Sequence, residues 1–389
     1  MLDRRVFLQL SGAGVMASLL RARAAFAQTQ GEKRFVFIFL RGGLDGLHAL
    51  APFADAEYRR LRPTLALAGD QVVGLDGYFG LNAALSGLMP LYEAGELALI
   101  PAAATRYRER SHFDGQNMLE NGSGRPFGAR DGWLNRAILG LNGGDRRLGL
   151  ALGPSVPLLM QGVAGIRTFA VSPLPEVDDD FLFRMGQIYQ NDPLFAQAFR
   201  AAQAAVQPAT ALTMMDRPLA QRDFAVSAQV AAELLAAPEG PRIAAMEMQG
   251  WDTHHMQQGR LNALLAELAQ GIVDLRHGLG AAWRETVVMV ASEFGRTAAE
   301  NGSRGTDHGT GGLVMLAGGA VAGGQILGEW PGLSARALYE ARDVAPLNTC
   351  ESLFKAVLTQ HLGLAEGFVE DSVFPDSGGT APFEGAIRS

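Results

Sequence analysis

One cysteine, Cys350, stands in a chain of 389 residues, so no internal disulfide can form. It lies in an apolar helical pattern, NTCESLFKAVL, which reads as core rather than as a nucleophile. Long apolar runs are missing too. The run LSGAGVMASLL near the start is shorter than the roughly 20 residues a membrane span needs, and no later segment reaches that length. Basic charge is not in excess: the formal net charge is −7, which disfavours nucleic acid or an anionic membrane surface as the main partner. No GxxxxGK[ST] phosphate loop occurs, and GGLDGL lacks the spacing of a dinucleotide fingerprint. Apolar residues are plentiful at 48%, enough for a sizeable core.

The N-terminus reads as an address label. Arg4 and Arg5 precede Phe7 and Leu8, a weakly apolar run follows, and Ala25-Phe26-Ala27 supplies a small-residue cleavage site. Residues 1–27 are therefore expected to be a twin-arginine signal peptide, with the twin-arginine translocase as partner during export and a bacterial periplasm as destination. Removing them takes away four arginines and one aspartate and moves the net charge from −7 to −10. The rest, 28–389, is expected to form one domain with a helix-rich insert at about 175–240.

Unbroken apolar runs at 35–40 and 286–291, with RIAAMEM at 242–248, read as strands buried on both faces. LALI (97–100), LGLAL (148–152), IRTFAV (166–171), LVMLAGG and QILGE add further strands. Helices are expected at 81–96 with a break near Pro90, at 111–122 with Ser111 as N-cap and Gly122 as stop, and at 347–362. The clearest helix carries the stripe Leu261, Leu264, Leu265, Leu268, Ile272, Leu275 and Leu279. His277 falls off that stripe and reads as solvated, and His361 as a partner of its helix dipole. Strands alternating with helices give an α/β fold, a three-layer α/β/α sandwich with a largely parallel sheet.

Ligands in such folds bind beyond the carboxyl ends of the strands. Four loops there carry acidic residues or histidines: RGGLDGLH with Asp45, QGWDTHH with Asp252, His254 and His255, SEFGRT with Glu293 and Arg296, and GSRGTDHGTGG with Asp307 and His308. Carboxylates and imidazoles gathered at one edge point to a divalent metal held by Asp45, Asp252, His254, Glu293 and His308. Zinc leads, with manganese, magnesium or calcium as alternatives. For Asp45 a solvated turn aspartate is the competing account. Trp251 either walls the site or fills the core. Ser111, at a helix start where free N–H groups stabilise an anion, is the candidate nucleophile or a plain N-cap. His112 beside it is open as ligand, base or packing residue, and Arg106, Arg108 and Arg110 are positioned to recognise an anion. Arg296 is expected to meet oxygen charge developing in a reaction.

Together FLRGGLDGLHALAP, RSHFDGQNMLENG, GWDTHH and SEFGRTAAENGSRGTDHGTGG, behind a twin-arginine leader, resemble one exported bacterial family, domain of unknown function family 1501. That family is grouped with the alkaline-phosphatase-like superfamily of phosphatases, sulfatases and phosphoglycerate mutases. The resemblance implies the alkaline-phosphatase-like fold and a metal-dependent hydrolase of phosphate or sulfate esters, small or polymeric. Under it Asp45 matches the first aspartate, Ser111 the nucleophile, Asp252 and His254 the aspartate–histidine loop, and His308 the final histidine. Two departures stand out. Met256 occupies the usual histidine place, and Glu293-Phe294 replaces an Asp-His pair. The alternative they support is a catalytically silent binding or scaffold protein that keeps the fold.

Overall fold

The computed structural model describes residues 33–142, 148–153, 155–170 and 224–388, with scattered positions between 185 and 197. The leader expected at 1–27 and most of the insert expected at about 175–240 lie outside them. The chain divides into two compact units, one made of residues up to Phe169 and from Phe224 onward, the other Ala170–Asp223. The first carries the sheets and the loops at their ends. In the second, positions 187–189 are helical.

Among the described residues the main sheet has nine strands: Arg34–Arg41 (β1), Leu97–Ala104 (β2), Gly149–Leu152 (β3), Ile166–Phe169 (β4), Ile243–Gln249 (β5), Thr286–Ser292 (β6), Gly312–Ala317 (β7), Gln325–Ile326 (β8) and Asn348–Thr349 (β9). Their spatial order is β8-β2-β7-β6-β1-β5-β3-β4, with β9 also on β2. All described pairings in it are parallel except those of β7 with β2 and β6. The principal helices are His112–Asn121 (α1), Trp133–Asn142 (α2), Phe224–Ala236 (α3), Gln257–Leu279 (α4) and Cys350–Ala356 (α5).

β1 is apolar throughout because both of its faces are covered. Val36, Ile38 and Leu40 pack in one core with Ala228, Ala231 and Leu235 of α3 and the Leu261, Leu265, Leu268 and Ile272 stripe of α4. Phe35, Phe37 and Phe39 point the other way, among Trp133 and Ile138 of α2 and Leu353 and Phe354 of α5. Side chains alternate across a strand, so one apolar run serves two layers. The indole of Trp133 stacks on Phe354 with centroids 4.8 Å apart. Burying aromatics of this size contributes about 1.5–3 kcal/mol each, so this layer holds the sheet as firmly as the leucine stripe holds the other. Cys350 is buried in it, as its pattern predicts.

One helical expectation is refined and one corrected. The helix expected over 81–96 with a break near Pro90 is a 3-10 turn, Ala83–Leu88, followed by a short α-helix, Met89–Glu93, so the change falls just before Pro90, which sits in the first turn of the second piece. His361 does not rest on a helix dipole. Its Nε2 donates to the Arg34 carbonyl oxygen at 2.9 Å, and burial pushes its pKa down to about 4, so the ring is neutral.

The site lies where three parallel strands end at one level. Leu40 of β1 is in register with Met248 of β5 and with Ser292 of β6, so the loops that follow start side by side. Among the described residues no helix is long and apolar enough to cross a membrane.

Candidate metal centre

The three loops approach so closely that side chains are excluded from the contact. Gly42 has φ +124°, and a Cβ there would lie 2.4 Å from the backbone nitrogen of Asp252. A Cβ on Gly43 would lie 2.8 Å from the Phe294 ring. Glycine is the residue that allows both the left-handed backbone and the approach. Into this junction reaches the Arg296 side chain, almost fully buried. Its Nε donates to the Gly43 carbonyl at 2.8 Å, Nη1 to Thr306 O at 3.1 Å, and Nη2 to the carbonyls of Gly42 and Trp251 and to Asp252 Oδ1, the last at 2.6 Å. One guanidinium thus binds the β1 loop, the β5 loop and the glycine-rich loop before β7. Nη1 also lies 3.5 Å from His254 Nε2, so the Arg296 expected to meet reaction charge is held by protein atoms on all three nitrogens and orients Asp252.

Around Asp252 four acceptor atoms converge. Its Oδ1 lies 2.9 Å from His254 Nε2, 3.3 Å from His308 Nε2 and 3.4 Å from His112 Nε2. The two Nε2 atoms of His254 and His308 are 2.9 Å apart. Each ring's other nitrogen already has an acceptor. His112 Nδ1 faces Glu293 Oε1 at 2.7 Å, His254 Nδ1 faces Asp307 Oδ1 at 3.1 Å, and His308 Nδ1 faces the Arg110 carbonyl at 2.9 Å. Those partners place a proton on each Nδ1 and turn the three Nε2 lone pairs toward the carboxylate. His112 Nε2 is buried and has no hydrogen-bond partner among the described residues. The ligand atoms of His112, Asp252 and His308 all lie within 4.8 Å of one another. Lone pairs facing one another and a carboxylate repel unless a cation offsets them; Arg296 does so at one side, with Nη2 on Asp252 Oδ1 and Nη1 3.5 Å from His254 Nε2. His112, Asp252 and His308 offer two nitrogens and one oxygen, a three-ligand set that suits zinc with its fourth position open.

Asp252 and His308 carry the charge states a ligand needs, whereas His112 is biased toward its protonated form, a proton that a cation would have to replace. Burial pushes the Asp252 carboxyl up, but the hydrogen bond and charge of Arg296 outweigh it and hold the pKa down at about 2. Burial lowers the His308 pKa, which keeps that ring neutral. For His112 burial acts downward too, yet the Glu293 hydrogen bond and charge outweigh it and raise the pKa. Glu293 itself is fully buried; burial pushes its pKa up, but hydrogen bonds from His112 and Gln116 bring it below the usual value. Its Oε1 accepts from His112 Nδ1, from Gly42 N at 2.9 Å and from Gln116 Nε2 at 3.0 Å. The Gln116 amide is in turn fixed by Arg41, whose Nη1 donates to its Oε1 at 2.8 Å. A carboxylate behind a ligating histidine fixes the ring and raises its basicity.

The structure therefore brings together Asp252, His254 and His308 of the expected set, adds His112, and puts Glu293 behind His112 instead of at the cluster. Asp45 is elsewhere engaged. Its Oδ2 accepts from Arg62 Nη1 and from Gln257 Nε2, both at 2.7 Å, and both ionic partners are buried. Asp45 is thus no solvated turn residue but one half of a buried ion pair, and its other oxygen, Oδ1, is buried with no hydrogen-bond partner among the described residues. Gln116 and Arg62 carried no signal in the sequence; His112 did, at a helix start beside a candidate nucleophile. Phe294 packs on the imidazoles, 4.9 Å from His112 and 5.1 Å from His308 between centroids. Trp251 is buried in the main core.

Ser111 is the N-cap residue of α1 in extended conformation, and its side chain makes no capping hydrogen bond. It sits between Arg110, whose carbonyl receives His308, and the ligand-like His112. The upstream arginines are not presented to an anion. Arg106 donates to Asp376 O and Thr380 Oγ1, Arg108 to the carbonyls of Thr105 and Tyr107, and Arg110 to Asp343 Oδ2 and Glu340 Oε2. His255 is exposed.

A family model described as "Protein of unknown function (DUF1501)" matches residues 108–370, a span that holds every residue of the cluster but not Asp45. A search of curated proteins finds no match. Among solved structures the chain is similar to Ps i-CgsB in complex with k-i-k-neocarrahexaose, at 10% identity and TM-score 0.44 over 86% of this chain and 73% of that one. It is similar to the lipoteichoic acid synthase LtaP from Listeria monocytogenes at 9% identity and TM-score 0.40, over 92% and 76%. The phosphonate monoester hydrolase of Agrobacterium radiobacter follows at 11% identity and TM-score 0.38, over 86% and 74%.

Proposed function

The chain belongs to the DUF1501 family of proteins of unknown function, and from that premise we propose that it is an exported, metal-dependent hydrolase of phosphate or sulfate esters. The observation that carries the reading is the convergence of three imidazole Nε2 atoms on the Asp252 carboxylate, with His112 Nε2 buried and unpartnered among the described residues. His112, Asp252 and His308 would hold the ion and leave a position open for an ester oxygen, with His254 beside them, and imidazole nitrogens favour zinc over magnesium or calcium. A bound divalent ion supplies Lewis-acid polarisation of an ester oxygen. The substrate class comes from the resemblance of the loop segments to the alkaline-phosphatase-like superfamily. The leader expected at 1–27 assigns delivery by the twin-arginine translocase to a periplasm.

The chain's own residues divide the work. Arg296 holds Asp252 ionised and in place. Glu293, braced by Gln116 and Arg41, orients His112. Ser111 Oγ, at the positive end of α1, forms a bond to phosphorus or sulfur while the ester oxygen departs with the displaced proton as an alcohol. Water then cleaves the seryl ester, returning the hydroxyl and releasing phosphate or sulfate.

Elemental analysis of the purified mature protein beside Asp252→Ala tests the centre. Near-stoichiometric divalent metal lost in the variant is expected, followed by turnover in phosphatase or sulfatase screens that Ser111→Ala abolishes. Full activity in Ser111→Ala would overturn the nucleophile. A second reading, the silent binding protein, is favoured by Asp45 being tied to Arg62 and by Phe294 covering the imidazoles. It is the answer if metal binds and no ester turns over.

A further inference from the structure

Phe113, next in sequence to His112, and Phe127, in the loop after α1, face solvent. Phe113 is 83% exposed and Phe127 is 68% exposed. Single exposed apolar residues are ordinary, but these two are linked. Phe113 follows His112 in the first turn of α1. Asn117 lies one turn further on the same helix face, and its Oδ1 accepts the backbone N–H of Phe127. The loop that carries Phe127 is tightly built. Ser123 N donates to Asn121 Oδ1 at 2.7 Å, Ser123 Oγ donates to Arg125 O at 3.0 Å, and Gly128 N donates to Arg125 O at 3.2 Å. Within it Phe127 has φ +56°, a left-handed conformation that is costly for a bulky residue. A strained backbone therefore holds a large apolar ring out in water. The same loop exposes Arg125 and Arg130, which have no hydrogen-bonding or ionic side-chain partner among the described residues.

Resting on the metal-centre reading, we infer that Phe113, Phe127, Arg125 and Arg130 form a surface beside the cluster that binds an anionic glycan. Such a polymer alternates flat C–H ring faces with fixed negative substituents. Phenylalanine faces cover the first, and guanidinium groups pair bidentately with the second. The chain carries a net charge of −7, so it has no general attraction for polyanions, and a local aromatic and basic spot is what would select one. Nucleic acid offers rings and phosphates as well, but its binding surfaces rest on a continuous basic groove, which two arginines do not make.

Binding of dextran sulfate, neutral dextran, ringless poly(vinyl sulfate) and a single-stranded oligonucleotide to the mature protein tests this by calorimetry. Dextran sulfate is expected to bind at least tenfold more tightly than the other three. The double change Phe113→Ala and Phe127→Ala should weaken it about tenfold, since aromatic contacts of this kind contribute modestly each. Arg125→Gln with Arg130→Gln should flatten its salt dependence. Phe127→Gly controls for folding: it relieves the left-handed backbone, so it should melt at a higher temperature while binding less. Equal affinity for poly(vinyl sulfate), wild-type affinity in the double phenylalanine variant, tighter oligonucleotide binding or no binding at all would each overturn the inference. Ester turnover without this sensitivity sinks the glycan surface alone. The stated binding pattern without metal or turnover sinks the metal-centre reading alone.

Discussion

Replacing Asp45 in metal-free protein tells a structural carboxylate from a ligand. Asp45 and Arg62 are 1% and 0% exposed at the side chain, and their contact is 2.7 Å. Removing one partner of a buried ion pair costs about 3–5 kcal/mol, because the other charge is left without compensation. Asparagine keeps an oxygen for Arg62, so Asp45→Asn belongs near the lower end. Alanine also strands the Gln257 donor, which moves Asp45→Ala to the upper end. Arg62 keeps its bonds to the Ala298 and Thr297 carbonyls, at 2.9 and 2.8 Å, in both variants, which limits the loss. Against a typical total of about 5–15 kcal/mol, either change should move the urea midpoint of chelator-treated protein well below wild type. The pH dependence has a definite sign. Burial pushes the Asp45 carboxyl up, but the Arg62 charge and hydrogen bond outweigh it, so its pKa in the folded chain is lowered. Its stabilisation is fully present above the unfolded value of about 3.9 and is lost as pH falls through the lower folded value. Wild type and variants should differ most above about pH 4 and converge in acid. If metal-free Asp45→Asn unfolds at the wild-type urea concentration while metal content drops, Asp45 is a ligand and the ion-pair account is wrong.

The same network makes two further outcomes testable. Glu293→Gln keeps an acceptor for His112 but removes the charge behind it, so zinc affinity in a chelator competition should fall roughly 10–100-fold; unchanged affinity would take Glu293 out of the metal's support. Arg296→Lys replaces a planar fork with a point charge and leaves several buried carbonyls unmatched, at about 1–3 kcal/mol each. It should unfold at lower denaturant than wild type, and the Asp252 carboxyl should titrate upward from about 2 toward 3.8 when followed by carboxyl NMR.

Much of the fold is legible from local pattern. The runs around Phe37, Ala245 and Val288 announce strands covered on both faces, and the leucines of α4 announce a helix with one buried side. Ser111 and Gly122 bound α1 as capping chemistry predicts, Gly122 in the left-handed conformation. The acidic and histidine loops come together because parallel strands end at one edge. Which carboxylates reach the centre is not legible. Asp252 has three imidazoles around it, whereas Asp45 meets Arg62, 17 residues further along the chain in a segment with no pattern of its own. Glu293 is distinguished by its place behind a histidine from another loop. That is a fact of packing between segments 181 residues apart, and no local pattern carries it.

The Arg296 side chain has a kinetic meaning as well. Its bonds reach back 253 and 254 residues to Gly43 and Gly42, and 45 and 44 to Trp251 and Asp252. Contacts so distant in sequence form only after the chain entropy of large loops has been overcome. The imidazole cage is therefore a late product of folding, assembled when β1, β5 and β6 are already side by side. Capture of an ion would then mark a finished molecule, and a chain stalled before the closure of those loops would present three separate histidines and no cage.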